Sequence, residues 1–255
     1  GSEMCIRDRR ETLWGMAVSV GLIFSVLALI FIRDNPTICG LSPDGRQHYA
    51  KRESANEGLS LTLKAARRSP VFWSYSLSLA THALFGTALT FHVVAIFAES
   101  GLSREVAFSY FLPVAIFSTS ANLLASWLVD SNALKPFLII MLGSFILGAF
   151  GFIFLAASWG YWALAFGFGI GGGLWHVVSN LAFIRFFGPN HIGEVSGFSS
   201  SISVFASALG PFVFSAGVDI FGNYGTAAKL CLLVLSFLLV AAVIMPQTEL
   251  SSTRR

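Results

Sequence analysis

Seven stretches of the chain, 13–32, 71–98, 108–129, 137–157, 161–184, 195–218 and 226–245, are nearly uninterrupted runs of apolar side chains. Each holds at least about 20 residues, enough at 1.5 Å per residue to cross a hydrocarbon core roughly 30 Å thick. The rest of the composition leaves no other home for them. Only 11% of residues are charged, against about 25% in soluble domains, so the chain cannot clothe itself in a hydrated surface. The fold class that follows is an all-α integral membrane protein with seven transmembrane helices in a lipid bilayer. Lys229, near the start of the last run, is long enough to snorkel to the headgroups.

Several functions are excluded on the same grounds. A net charge of +3 is too small and too scattered for a nucleic-acid binder. The three cysteines, Cys5, Cys39 and Cys231, have no metal-site or disulfide spacing. The histidines lack acids or nucleophiles at useful spacing, so no enzyme, metal or cofactor is expected. Gly167, Gly169 and Gly172 do spell G-x-G-x-x-G, the spacing that cradles a dinucleotide. That fingerprint needs a strand before it and a soluble βαβ unit around it. Here the glycines interrupt one continuous apolar run, which they thin so that a neighbouring helix can approach.

Basic residues collect in cytoplasmic loops. The segment 33–70 carries Arg33, Arg46, Lys51, Arg52, Lys64, Arg67 and Arg68, and alternation from there puts Lys135, Arg185, Arg254 and Arg255 on the same side. Arg104 and Lys229 alone fall outside, so the C-terminal tail 249–255 is expected in the cytoplasm. Arg7, Arg9 and Arg10 disagree with this alternation. They lie in GSEMCIRDRR (1–10), which has no signal-peptide layout and resembles an adapter-derived leader translated onto environmental sequence reads. It is set aside as non-native, and the natural chain is expected to continue upstream, making this a fragment. Leu59, Leu63 and Ala66, with Lys64, Arg67 and Arg68 between them, suit a short amphipathic helix on the inner surface.

The helix faces divide the runs into two kinds. In 71–98, Ser74, Ser78, Thr81, His82 and His92 share an arc of about 100°. In 108–129, Ser118, Asn122 and Ser126 lead to Asp130. In 161–184, Gly169, Gly172, Gly173, His176 and Asn180 share a face, and in 195–218 the stripe is Ser196, Ser200, Ser203, Ser207 and Gly210. Runs 13–32, 137–157 and 226–245 are apolar nearly all round, as suits lipid-facing positions. The alternation has a period of three: two striped helices, then a bland one. His92, Asn122, His176, Asn180, Ser118 and Thr81 are the candidates for a polar cavity. Gly169, Gly172, Gly173, Ser200, Ser203, Ser207 and Gly210 read as helix-packing residues, since small side chains let membrane helices approach. His82 is expected to bond a neighbouring helix. Asp130 and Asp219 read as loop contacts.

Four stretches then carry a resemblance: RDNPTICGLSPDG (33–45), RRSPVFW (67–73), FFGPNHIGEVSG (186–197) and ALGPFVFSAGVDIFGNY (208–224). In that order they resemble the major facilitator superfamily, in its branch of monocarboxylate- and oxalate/formate-like transporters, over residues 11–248. The resemblance implies twelve helices in two six-helix halves. Residues 11–32 would then be helix six, 33–70 the cytoplasmic linker between halves, and 71–248 the C-terminal six-helix half. The family's lipid-facing helices are three, six, nine and twelve, which is where the bland runs fall. Monocarboxylate transporters place an arginine on helix eight to bind the substrate carboxylate. Eight residues before Asp130 this sequence has Asn122 instead, and Ser118 stands at the neighbouring acidic position.

The function these readings imply is secondary transport of a small organic solute, carboxylate-type or more neutral, by alternating access around a midplane site. The chain lacks a Walker-type loop, so an ion gradient or exchange would drive it. With no Asp, Glu or Arg inside the last six runs, histidines are the groups there suited to protons as a coupling ion. The expected partners are the solute, the bilayer, the missing N-terminal half and a coupling ion. A seven-helix receptor or photosensor is the rival, but a retinal Schiff base needs a mid-helix lysine, and a receptor explains neither the long loop nor the period of three. A transporter-like scaffold that moves no solute is a second rival.

Overall fold

In the computed structural model, residues 11–31 and 60–246 are described, and among them every regular element is helical. The segment 33–59, the leader 1–10 and the tail 249–255 lie outside the described residues. Two compact units divide the chain, residues 1–55 and 56–255. In the first, α1 (Glu11–Ile30) is one apolar span. It carries a π-helical turn over Ser19–Ile23, and Ser19 and Ser25 each return their hydroxyl protons to the carbonyl four residues back. Such back-bonding lets a serine sit in a membrane helix without an orphaned donor.

The second unit contains α2 (Leu63–Ala66), α3 (Pro70–Glu99), α4 (Arg104–Ser109), α5 (Phe111–Val129), α6 (Lys135–Ile153), α7 (Gly160–Phe187), α8 (Ile192–Phe221) and α9 (Gly225–Ile244). With α4 and α5 forming one span, Arg104–Val129, and with α1, seven helices among the described residues are long and apolar enough to cross a membrane. Helices are the form in which such segments satisfy every backbone N–H and C=O without water. The α4–α5 span starts at Arg104, before the apolar run at 108, because Ser103 caps it by accepting from Val106 N. It breaks at Tyr110 because Pro113, lacking an N–H, cannot close the turn onto Ser109.

Glycine decides which helices meet. On α7, a Cβ at Gly167 would fall on the Gly148 backbone of α6, and one at Gly171 on the Phe145 ring. A Cβ at Gly169 would meet Phe117 of α5, and one at Gly173 the Ser118 carbonyl and, at 2.8 Å, the Asn122 N–H nitrogen. Positions two apart point about 200° apart around a helix, so α7 is pinched from both sides. The expected single packing face is thus corrected to two, and Gly172, which faces only Ser118 Oγ at 3.6 Å, belongs to neither tight contact.

A third tight pair is α3 with α8. Gly210 abuts the Leu84 carbonyl, Thr87 and Ser207 share a 2.7 Å hydrogen bond, and Phe85 packs on Phe214. The main aromatic core lies between these pairs, where Phe85, Phe145, Phe152, Phe168 and Phe214 bury their rings against one another.

One end of the unit gathers its charges into capping roles. Lys135 Nζ donates to Val243 O and Met245 O at the end of α9. Arg185 donates to Val129 O and Asn132 O at the end of α5. Leu61 N donates to Phe187 O at the end of α7. Cations at helix C-termini also complement the macrodipole. Of the bland helices, α1 has none of its span buried, but within the second unit α6 and α9 are not the most exposed. Half of the α6 span is buried inside the unit, against 11% for the α4–α5 and α8 spans. An all-apolar surface packs against protein as readily as against lipid, so pattern alone could not rank them.

Candidate functional site

A cleft of about 520 Å³ opens between α7 and α8. Successive turns of α7 contribute His176, Ser179 and Asn180, and successive turns of α8 contribute Ser196, Ser200 and Ser203. Leu79, Trp175, Phe183 and Val204 form apolar walls. Trp175 is fixed by donating from its indole N–H to Leu79 O on α3, at 3.2 Å. Residues three or four apart lie on one helix face, which is why each polar group recurs at that interval.

The hydrogen bonds of this lining are unevenly spent. Ser196 donates to Ile192 O and Ser179 to His176 O, so their protons are used inside their own helices. The side chains of His176, Asn180, Ser200 and Ser203 have no hydrogen-bond partner among the described residues. Polar groups at membrane depth are costly unless something bonds them. No Asp, Glu, Lys or Arg lines the cleft, so it offers donors and acceptors without fixed charge.

The expected cavity residues separate here. His176 and Asn180 line the cleft, whereas the structure does not bring His92, Asn122, Ser118 or Thr81 to it. Asn122 donates from Nδ2 to Gly173 O at 3.2 Å and so ties α5 to α7. Ser118 lies at that same α5–α7 contact. Thr81 donates to Leu77 O of its own helix. His92 lies within 3.2 Å of Pro211 O and within 3.3 Å of the Tyr224 hydroxyl. A carbonyl only accepts, so Nε2 carries a proton, and in the neutral ring Nδ1 accepts from Tyr224. Burial first, then the Glu99 and Asp219 carboxylates, push the Tyr224 phenol above its ordinary range, which keeps it a neutral donor.

The packing assignments also divide. Ser207 and Gly210 meet α3, whereas Ser200 and Ser203 line the cleft, whose wall α3 reaches through Leu79. His82 does not bond a neighbouring helix. It stacks on Phe145 with centroids 4.2 Å apart, and its buried Nδ1 has no hydrogen-bond partner. Asp130 is exposed at the end of α5, and Asp219 is exposed near the end of α8. The segment 208–224 has a structural account. Gly210 permits the α3 contact, Gly222 takes the left-handed conformation (φ +75°) that ends α8, Asn223 Oδ1 accepts from Thr226 N, and Tyr224 reaches His92.

Among the described residues, seven apolar spans, three glycine-packed helix pairs and an uncharged polar cleft between two of the spans define a multi-pass integral membrane protein. The family profile for the Major Facilitator Superfamily matches residues 10–211. The chain belongs to that superfamily, whose members are membrane transporters. A comparison with curated proteins finds no match.

Proposed function

We propose that the protein carries a small organic solute across the membrane by alternating access, with His176, Asn180, Ser200 and Ser203 contributing this unit's share of the binding site. The observation that carries the reading is the convergence of these four unsatisfied polar side chains on one cleft. Because the cleft lacks fixed charge, it suits a hydrogen-bonding solute, and a carboxylate would rely on His176 for any positive charge. The monocarboxylate and oxalate/formate branch supplies the carboxylate alternative. We further assign α1 to helix six and α3–α9 to helices seven to twelve, with 33–70 as the inter-half linker. The period of three among striped and bland runs supports this, and the upstream half would complete the cavity. The basic end is assigned to the cytoplasm of a bacterial inner membrane, with protons or exchange as the driving force. The superfamily's members are transporters, which is what supports a transporter over an enzyme.

The test is thermal unfolding of the purified chain with oxalate, lactate or the uncharged polyol erythritol at millimolar concentration. At least one is expected to stabilise the parent. His176→Ala and Asn180→Ala should each weaken that effect about ten- to hundredfold, since one lost hydrogen bond costs about 1–3 kcal/mol. Thr81→Ala should leave it unchanged. Stabilisation equal in parent and cleft variants, or none by any of the three, overturns the assignment.

A further inference from the structure

At the basic end of the second unit, a separate depression of about 590 Å³ lies where α2 turns into α3 beside the start of α8. Lys64, Arg67 and Arg68 line it, with Trp73 and Glu194 at its edge. None of the three cations has an acidic partner within 4 Å among the described residues. The one carboxylate present, Glu194, faces His191, whose Nδ1 is 4.0 Å away. Among the described residues the depression therefore holds three cations to one carboxylate.

Its surroundings fix its depth. Trp73 is part-exposed on the first turn of a membrane span and donates from its indole N–H to Arg67 O at 2.8 Å. An indole with a bonded polar edge and an exposed apolar body is the usual anchor at a membrane–water boundary. Leu77, one turn further along the same span, is also exposed. Arg67 lays its guanidinium over Phe198, 4.8 Å from the ring centroid, which orients the group while leaving its N–H edge open. The backbone beneath is tethered, because Leu61 N bonds Phe187 O and Asn190 N bonds Ser60 Oγ.

We infer that this depression is a binding site for the headgroup of an anionic phospholipid, with the phosphate between Lys64, Arg67 and Arg68 and the acyl chains running down past Trp73 and Leu77. The net positive charge selects an anionic over a zwitterionic lipid, and the apolar flank selects a lipid over a soluble phosphate. Guanidinium groups suit a phosphate through paired N–H donors, and lysine adds a point charge.

The experiment is native mass spectrometry of the full 255-residue chain in detergent with added phosphatidylglycerol, phosphatidylcholine, glycerophosphoglycerol or inorganic phosphate. The parent should retain phosphatidylglycerol well above phosphatidylcholine and should retain neither tail-less anion. The double variant Arg67→Gln/Arg68→Gln should bind phosphatidylglycerol about thirtyfold more weakly, at about fivefold per basic residue near the surface. Lys229→Gln, at the opposite end of the helices, should bind like the parent. Equal retention of the two lipids by the parent overturns the site without any variant, as does full retention by the double variant. Retention of phosphate alone at the same strength reassigns the cluster to a soluble anion and also overturns it.

Discussion

At the scale of single residues, two neighbouring glycines of α7 should behave very differently. A Cβ on Gly173 would be driven into the Ser118 carbonyl, which is backbone and cannot step aside. A Cβ on Gly172 would rest 3.6 Å from the Ser118 hydroxyl, an ordinary van der Waals contact. Gly173→Ala should therefore destabilise the α5–α7 pair by about 1–3 kcal/mol, as overpacking does, while Gly172→Ala should fall near zero or stabilise the helix slightly. Thermal unfolding in detergent reads the difference, and equal midpoints for both variants would refute the packing described here. Sequence spacing could not have separated them. Both lie on the broad glycine face, and which one a neighbour touches depends on where α5 crosses α7. The same limit applies to Ser203 and Ser207, one turn apart on α8: Ser207 bonds Thr87 whereas Ser203 lines the cleft.

At the scale of helices, the spans were legible and their partners were not. Hydrophobic length marks each span within a few residues, because the bilayer demands it. The pairing of α3 with α8 joins segments far apart in sequence through Gly210, Thr87 and Ser207, none of which is unusual in composition. That pairing predicts a crosslink. With their hydroxyl oxygens 2.7 Å apart, Thr87→Cys and Ser207→Cys should form a disulfide readily under mild oxidation. Thr81→Cys with Ser207→Cys should not, since Thr81 lies six residues, about 9 Å of helix rise, from Thr87 and on another face of α3. Mobility on a non-reducing gel after cleavage of an intervening loop distinguishes the two pairs. Lys135 offers a second check at this scale. Its ammonium caps the end of α9 through Val243 O and Met245 O, so Lys135→Met should cost about 1–3 kcal/mol and loosen α6 from α9. An unchanged unfolding midpoint in that variant would remove the cap from the stability account.

At the scale of the molecule, charge sets the orientation. Lys64, Arg67, Arg68, Lys135 and Arg185 lie at the end where α5, α7 and α9 finish, tied there by the bonds of Lys135 to α9, Arg185 to α5 and Leu61 to α7. Arg104 and Lys229 lie at the other end, where Tyr224 N bonds Glu99. Translocating a loop rich in Lys and Arg is disfavoured, so the first end should stay in the cytoplasm. Asn190, exposed in the loop between α7 and α8, and Ser103, exposed in the loop before α4, sample the two ends. Single cysteines at these positions, in a background with the native cysteines replaced, should respond oppositely to a membrane-impermeant maleimide. On intact cells Ser103→Cys should label and Asn190→Cys should not, and Asn190→Cys should label once the membrane is opened. Because both residues lie in the same unit, their labelling reports its orientation whatever precedes residue 56. Labelling of Asn190→Cys on intact cells would invert the topology and move the basic depression beside α2 to the outer leaflet.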